Sequence, residues 1–320
     1  MTFVIMTVAP VFGAILLGLL AGKLRYLPEG AQRPIIEFVF RIAIPALLIR
    51  TMAEAPPSTA SPFALWGAYF GAIASVWLAT TLVSLVLLRR PAGESASLAL
   101  ASCFGNLVLL GLPMALTAFG PEAATPMAII FLLELPVMWF AAVLHLTLAE
   151  GMAVGSLGRA VAKMGMDLLR NPIVIALIVG AVLRETGIPI HPILRRTLEL
   201  LGQAATPGSL IALGLSLAGF KMTGQLSTVS AVVALKLVAL PLIAWQLAFH
   251  VFALPPVWAG VLVLFCTMPT GAVAFLFATE HKRAVEQVSA IIAVSVALSV
   301  VTISMFLYFL AEQLPGTLAK

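Results

Sequence analysis

Two polar interruptions sit inside segments apolar enough to cross a bilayer, and their residue types are the ones in this chain best suited to holding a solute. The first is Gly105-Asn106-Leu107-Val108-Leu109-Leu110-Gly111-Leu112-Pro113, and the second is Cys266-Thr267-Met268-Pro269-Thr270-Gly271. A proline within a helix removes one backbone donor and clashes with the preceding turn, so breaks are expected at Pro113 and at Pro269. In hydrocarbon the freed backbone groups need a protein, water or ligand partner. Half-helices starting at the two prolines would aim their N–H groups into a crossing, where an anion such as a carboxylate is favoured. Paired interruptions in two halves of one chain point to the binding centre of a carrier. Asn106, two turns before Pro113 on the same helix, can donate and accept hydrogen bonds. Asn106, Gly111, Pro113, Met268, Pro269 and Thr270 are therefore the candidate substrate contacts, and Gln203, just before Pro207, is a candidate for the opposite wall.

Two ionisable residues fall near mid-span, Glu134 and Lys236. An unpaired charge there costs roughly 2.5–3.5 kcal/mol on insertion scales, so each must face a cavity, a partner or a helix end. Lys236 could neutralise the carbonyl ends of broken helices, carry a proton or attract an anionic substrate. Glu134 could carry a coupling proton or serve as a neutral hydrogen-bonder. Glu37 and Arg41 are spaced i,i+4 and read as a self-neutralising pair, and His145 reads as an interfacial residue.

The elements that must position these residues are helices in a membrane. The chain of 320 residues is 62% hydrophobic and 10% charged, against roughly 25% charge in soluble domains. At about 20 residues per crossing there is room for ten spans and no sizeable soluble domain. Apolar runs lie at 3–22, 34–52, 63–88, 95–119, 126–149, 171–185, 193–219, 227–250, 256–279 and 285–310. The first run lacks a basic leader and a small-residue cleavage site, so it is expected to stay as a helix. The net charge of +5 is spread over short loops without a basic stripe, which argues against nucleic acid. Cys103 and Cys266 lie in apolar spans far from any CxxC spacing, so neither a disulfide nor a metal site is indicated, and no cofactor motif is present. No P-loop occurs for ATP, and the HExxH and GxSxG signatures of an enzyme are missing.

With the N-terminus outside, the inner loops hold eleven Lys or Arg, Arg159, Lys163 and Lys221 among them. The outer side holds four: Arg184, Arg195, Arg196 and Lys320. The positive-inside rule then puts both termini outside, in the inner membrane of the cell. Gly18, Pro28, Pro45 and Pro113 recur as Gly180, Pro189, Pro207 and Pro269 at offsets of 162, 161, 162 and 156. Five helices per half is odd, so the second copy starts from the opposite side, an inverted repeat of 1–150 and 171–310 in which helices four and nine are mates.

At this point the chain resembles the auxin efflux carrier family, which includes plant auxin exporters and bacterial permeases for malate, malonate and related acids. The likeness runs end to end. It rests on Phe38-Val39-Phe40-Arg41-Ile42-Ala43-Ile44-Pro45-Ala46-Leu47-Leu48, on Gly105 to Pro113 with Phe119-Gly120, and on Arg170-Asn171-Pro172. Pro207 to Gly214 with Ser216-Leu217, Leu235-Lys236-Leu237 before Pro241, Met268-Pro269-Thr270 and Ala274-Phe275 complete it. One departure is that members often carry an asparagine after the ninth-helix proline, where this chain reads Gly271-Ala272-Val273-Ala274. The resemblance implies an all-α membrane protein of ten helices with crossed broken helices four and nine, similar to bile-acid symporters and sodium/proton antiporters. It implies a scaffold of 3–52 and 171–219, a transport core of 63–149 and 227–310, and a homodimer. The partner expected is a small organic anion moved by an elevator-like mechanism, with H⁺, Na⁺ or no coupling ion left open and a channel of the same fold as the alternative.

Overall fold

The computed structural model describes residues 2–28, 30–55, 60–151, 170–220 and 224–314. Arg159, Lys163, Lys221 and Lys320, counted above among the loop charges, lie outside them. Among the described residues the chain is helical without a strand, as its unbroken apolar runs require. The first half contains α1 (Thr2–Lys23), α2 (Gln32–Phe38), α3 (Ile44–Ala53), α4 (Pro62–Leu82), α5 (Ala92–Cys103), α6 (Leu112–Phe119) and α7 (Ala124–Ala149). The second contains α8 (Pro172–Thr186), α9 (Pro192–Gln203), α10 (Ala205–Ala218), α11 (Leu226–Ala234), α12 (Leu240–Trp245), α13 (Pro256–Thr267), α14 (Ala272–His281) and α15 (Val285–Gln313).

Among the described residues six helical rods are long and apolar enough to cross a membrane: Phe3–Lys23, Pro62–Leu87, Leu107–Ala149, Pro192–Ala218, Leu226–Val251 and Val285–Gln313. Their outer faces carry exposed Ile5, Met6, Leu17, Leu78, Leu82 and Val301, the surface that acyl chains rather than water would cover.

Pro113 does not break its helix. Three prolines, Pro45, Pro113 and Pro241, each take the second position of an α-helix that follows a π turn, at Val39–Ala43, Leu107–Gly111 and Leu235–Ala239. The wider turn shifts the hydrogen-bond register by one residue just before the ring, so the chain stays helical and the missing donor falls where a new helix begins. The interruption instead occupies Phe104–Asn106, where the backbone is extended at Phe104 and leaves helical geometry through Asn106, at φ −80° and ψ 64°. Asn106 therefore lies in the break and not on the helix.

Helix pairs approach closely where glycine removes a side chain. A Cβ on Gly18 of α1 would meet the Ile211 carbonyl of α10, and one on Gly214 would meet the Ile15 carbonyl and lie 2.7 Å from the Leu19 nitrogen. On the other side a Cβ on Gly180 of α8 would lie 2.7 Å from Met52 Cβ and 2.9 Å from the Ile49 carbonyl oxygen of α3. Side chains larger than hydrogen at these points would push backbones apart. The ion pair expected between Glu37 and Arg41 is replaced by one between Glu37 and Arg33, 3.3 Å apart, one turn in the other direction.

Candidate functional site

The two interruptions meet. α5 ends at Cys103 and α13 at Thr267, and the extended residues that follow each pair as an antiparallel bridge between Gly105 and Thr270. The Asn106 N–H donates to the Pro269 carbonyl at 2.8 Å, and the Gly271 N–H donates to the Phe104 carbonyl at 3.0 Å. Four backbone groups that no helix could serve are thereby satisfied inside the protein, which is the condition for non-helical backbone at membrane depth. Gly271 makes the approach possible, since a Cβ there would lie 2.7 Å from the Gly105 carbonyl oxygen.

The carbonyl end of α5 is capped by side chains. Thr270 Oγ1 donates to the Ala101 carbonyl at 2.7 Å, and Lys236 Nζ donates to the Cys103 carbonyl at 3.1 Å. Lys236 is fully buried, and its ammonium stands where the α5 macrodipole is negative. Of the three roles left open for it, the geometry supports charge compensation of a helix end. Ser295 Oγ on α15 accepts from the Thr270 N–H at 3.1 Å and holds the bridge from behind.

Beside the bridge is a cavity of about 150 Å³. Its walls include the first turn after each break, Leu107–Leu109 on one side and Gly271–Val273 on the other. The N–H groups of Leu107, Val108, Leu109, Ala272 and Val273 have no acceptor among the described residues, because the first turn of a helix leaves its donors unpaired. Asn106 lines the same space, 8% exposed, and its amide makes no hydrogen bond within the described residues. Glu134 enters from α7, 4% exposed, with Oε1 accepting from Tyr69 Oη of α4 at 3.1 Å. Among the described residues it is the one ionisable side chain lining the cavity. Phe40 and the start of α8 form the facing wall, where Asn171 caps its helix by accepting from the Ile173 N–H at 2.9 Å. Two helix N-termini and an idle amide can together hold an anion.

The structure thus brings Asn106 and Glu134 into the cavity and places Pro269 and Thr270 in the bridge at its edge. Met268 packs instead against Gly111, its Cγ 3.3 Å from where a Gly111 Cβ would be, so these two set the spacing of the crossing. Pro113 is buried within α6, and Gln203 is exposed at the end of α9; neither lines the cavity, and neither does Lys236. His145 is half-buried, its Nδ1 accepting from Trp77 Nε1 at 3.2 Å with Ser95 Oγ 3.0 Å from Nε2, and it links α4, α5 and α7 away from the cavity. Tyr69, Phe40 and Asn171 were not singled out for this site from sequence. Tyr69 carried a usable signal, since a tyrosine deep in an apolar span needs a hydroxyl partner and Glu134 is the nearest candidate by depth.

The membrane transport protein family matches residues 3–307. A protein of Rhizobium meliloti named "Putative malonate transporter" is 28% identical over 320 residues, covering 97% of each chain. A protein of Methanothermobacter thermautotrophicus named "Uncharacterized transporter" is 27% identical over 312 residues, covering 94% of this chain and 96% of its own. Both likenesses run the full length of the helical framework that builds the crossing. The chain is a membrane transporter, not an enzyme, and belongs to the auxin efflux carrier family of membrane transport proteins.

Proposed function

We propose that this protein is a secondary transporter that carries a small organic carboxylate across the inner membrane, binding it at the crossing of the two broken helices. The observation that carries this reading is that one small cavity is lined both by Asn106, whose amide is idle, and by five residues at two helix starts whose backbone N–H groups are unpaired among the described residues. Such a site attracts an anion and disfavours a cation. Its size suits a solute of a few carbons, and the name of the Rhizobium relative makes malonate the first compound to try.

Local geometry supports an inverted repeat of two five-helix halves. The turn after Pro62–Leu87 has Leu88 N–H on the Val83 carbonyl at 2.9 Å, Arg90 N–H on the Ser84 carbonyl at 2.8 Å and Arg89 at φ 50°. At an offset of 164 the same turn recurs, with Phe252 on Leu247 at 2.8 Å, Leu254 on Ala248 at 2.9 Å and Ala253 at φ 43°. The approach of Gly18 to Ile211 returns as that of Gly180 to Ile49, each partner displaced by 162. The bridge maps onto itself at 165, Asn106 to Pro269 becoming Gly271 to Phe104. On this alignment Pro269 is the mate of Phe104 and not of Pro113, and Asn106 faces Gly271 in the symmetry, so the chain supplies one amide where a symmetric site would have two.

In this reading Leu107–Ala149, at 43 residues about twice the length one crossing needs, holds two crossings turned at Gly120, and ten crossings result. α1 to α3 and α8 to α10 form the scaffold, and α4 to α7 with α11 to α15 form the core that moves between membrane faces with the substrate. Both termini are outside and the scaffold forms a homodimer. Proteoliposomes loaded with unlabelled malonate and diluted into labelled malonate test the function. Saturable counterflow is expected, and flux that rises linearly without saturation would make the protein a channel.

A further inference from the structure

Glu134 is at odds with an anion site. It is the one acidic group on the wall of a cavity whose other polar features, the two helix N-termini and Asn106, all favour negative charge. Two negative charges a few ångströms apart in a poorly solvated space cannot both persist without a counter-charge, and the usual resolution is a shared or added proton. Lys236 acts on Glu134 through space, but its ammonium is engaged on the Cys103 carbonyl outside the cavity and so does not bond an anion held there. Tyr69 occupies only Oε1 of Glu134, which leaves Oε2 open to receive a proton.

We propose that Glu134 is the proton site of the carrier: each bound carboxylate enters with one proton, held on Glu134 Oε2, and both leave together on the other side. This rests on the cavity being the substrate site and names the coupling ion of that site. The anion lies on the N–H groups of Leu107–Leu109 and Ala272–Val273, and the neutral carboxyl of Glu134 becomes a donor to it where the carboxylate was a repelling acceptor. Tyr69 keeps Glu134 oriented in both states, since its O–H can donate to a carboxylate and, more weakly, to the carbonyl oxygen of a carboxylic acid. Besides Tyr69, the other titratable groups acting on Glu134 are Lys236 from the Leu235–Ala239 turn and the buried thiol Cys266 of α13, with buried Cys103 at the end of α5 next to Lys236. From α3 and α8, Arg50 is paired with Glu54 and Glu199, and Arg184 with Glu185, near the helix ends. None of these supplies a free cation to the cavity.

The test is binding of a panel of small mono- and dicarboxylates, malonate first, to purified full-length protein by calorimetry. Affinity is measured between about pH 7 and 9, where the ligands keep constant charge. Wild type should lose about tenfold in affinity per pH unit above the point where free Glu134 ionises, the slope of one linked proton. In weakly buffered solution above that point it should take up about one proton per ligand bound. Glu134→Gln, whose amide imitates the protonated acid, should bind with an affinity that does not vary with pH and without proton uptake. A wild-type affinity flat in pH, no proton uptake by wild type, or a Glu134→Gln protein that keeps the wild-type slope would each overturn the proposal. In those cases ligand binding itself would still be seen and the site would stand. Absence of binding by every carboxylate in the panel would remove the site and the proposal together. The proton-uptake measurement needs no variant, so it decides the matter even if Glu134→Gln does not fold.

Discussion

Replacing Gly271 by alanine should damage the crossing far more than the same change at Gly105, although both glycines sit in the one bridge. Neither effect concerns backbone freedom: Gly271 has φ −83° and ψ 153°, values any residue adopts. The difference is what a Cβ meets. At Gly271 it would lie 2.7 Å from the Gly105 carbonyl oxygen, 2.9 Å from Phe104 Cδ1 and 3.1 Å from the Gly105 carbonyl carbon, two of them backbone atoms that cannot swing aside. At Gly105 the tight contact, 2.7 Å, is with Leu107 Cδ2 at the end of a flexible side chain, and the next atoms are at 3.4 Å. Overpacking costs about 1–3 kcal/mol. Separating the strands also weakens the Asn106 to Pro269 and Gly271 to Phe104 hydrogen bonds, each worth about 0.5–1.5 kcal/mol net. Gly271→Ala should thus lose about 2–6 kcal/mol, and Gly105→Ala less than about 1 kcal/mol after Leu107 changes rotamer. Thermal unfolding in detergent, followed by tryptophan fluorescence, should show a drop of several degrees for Gly271→Ala and little for Gly105→Ala. Equal shifts would refute the steric argument.

Lys236→Ala should leave the α5 carbonyl end uncompensated and abolish malonate counterflow, while Lys236→Arg keeps the charge and should retain part of it; equal activity of both variants would contradict the role given to the ammonium. Pro113→Ala should keep malonate binding within a few-fold of wild type, because the break lies at Phe104–Asn106, and a loss approaching that of an Asn106 variant would restore Pro113 to the site. In a protein whose two buried cysteines are replaced, a single cysteine at exposed His191 should label from outside intact cells and one at exposed Glu280 should not. Reversed labelling would invert the orientation.

The spans were legible because hydrocarbon demands about 20 apolar residues wherever a helix crosses it. Asn106 and Glu134 were legible because polar groups at that depth are costly unless they have work to do. The position of the first break was not. Pro113 is the conspicuous helix breaker, yet the π turn at Leu107–Gly111 absorbs its clash, and the true break seven residues earlier carries only Gly105 and Asn106 as signals. The offset of 156 between Pro113 and Pro269 already stood apart from the 161 and 162 of the other landmarks, and the repeat proposed above accounts for it by matching Pro269 with Phe104 through the bridge. Pairings between helices were also hidden. Tyr69 and Glu134 are 65 positions apart, and Glu37 had two arginines at helical spacing, between which only three-dimensional neighbours could choose.

In the proposed site the idle Asn106 amide and the helix N-termini beside it hold the substrate anion. The most direct measurement is the malonate affinity of Asn106→Ala beside wild type, by calorimetry on protein whose unfolding temperature matches wild type. A hydrogen bond to a charged group is worth about 1.5–3 kcal/mol, so affinity should fall by about 10- to 150-fold. An Asn106→Ala protein that binds malonate as tightly as wild type would contradict the account.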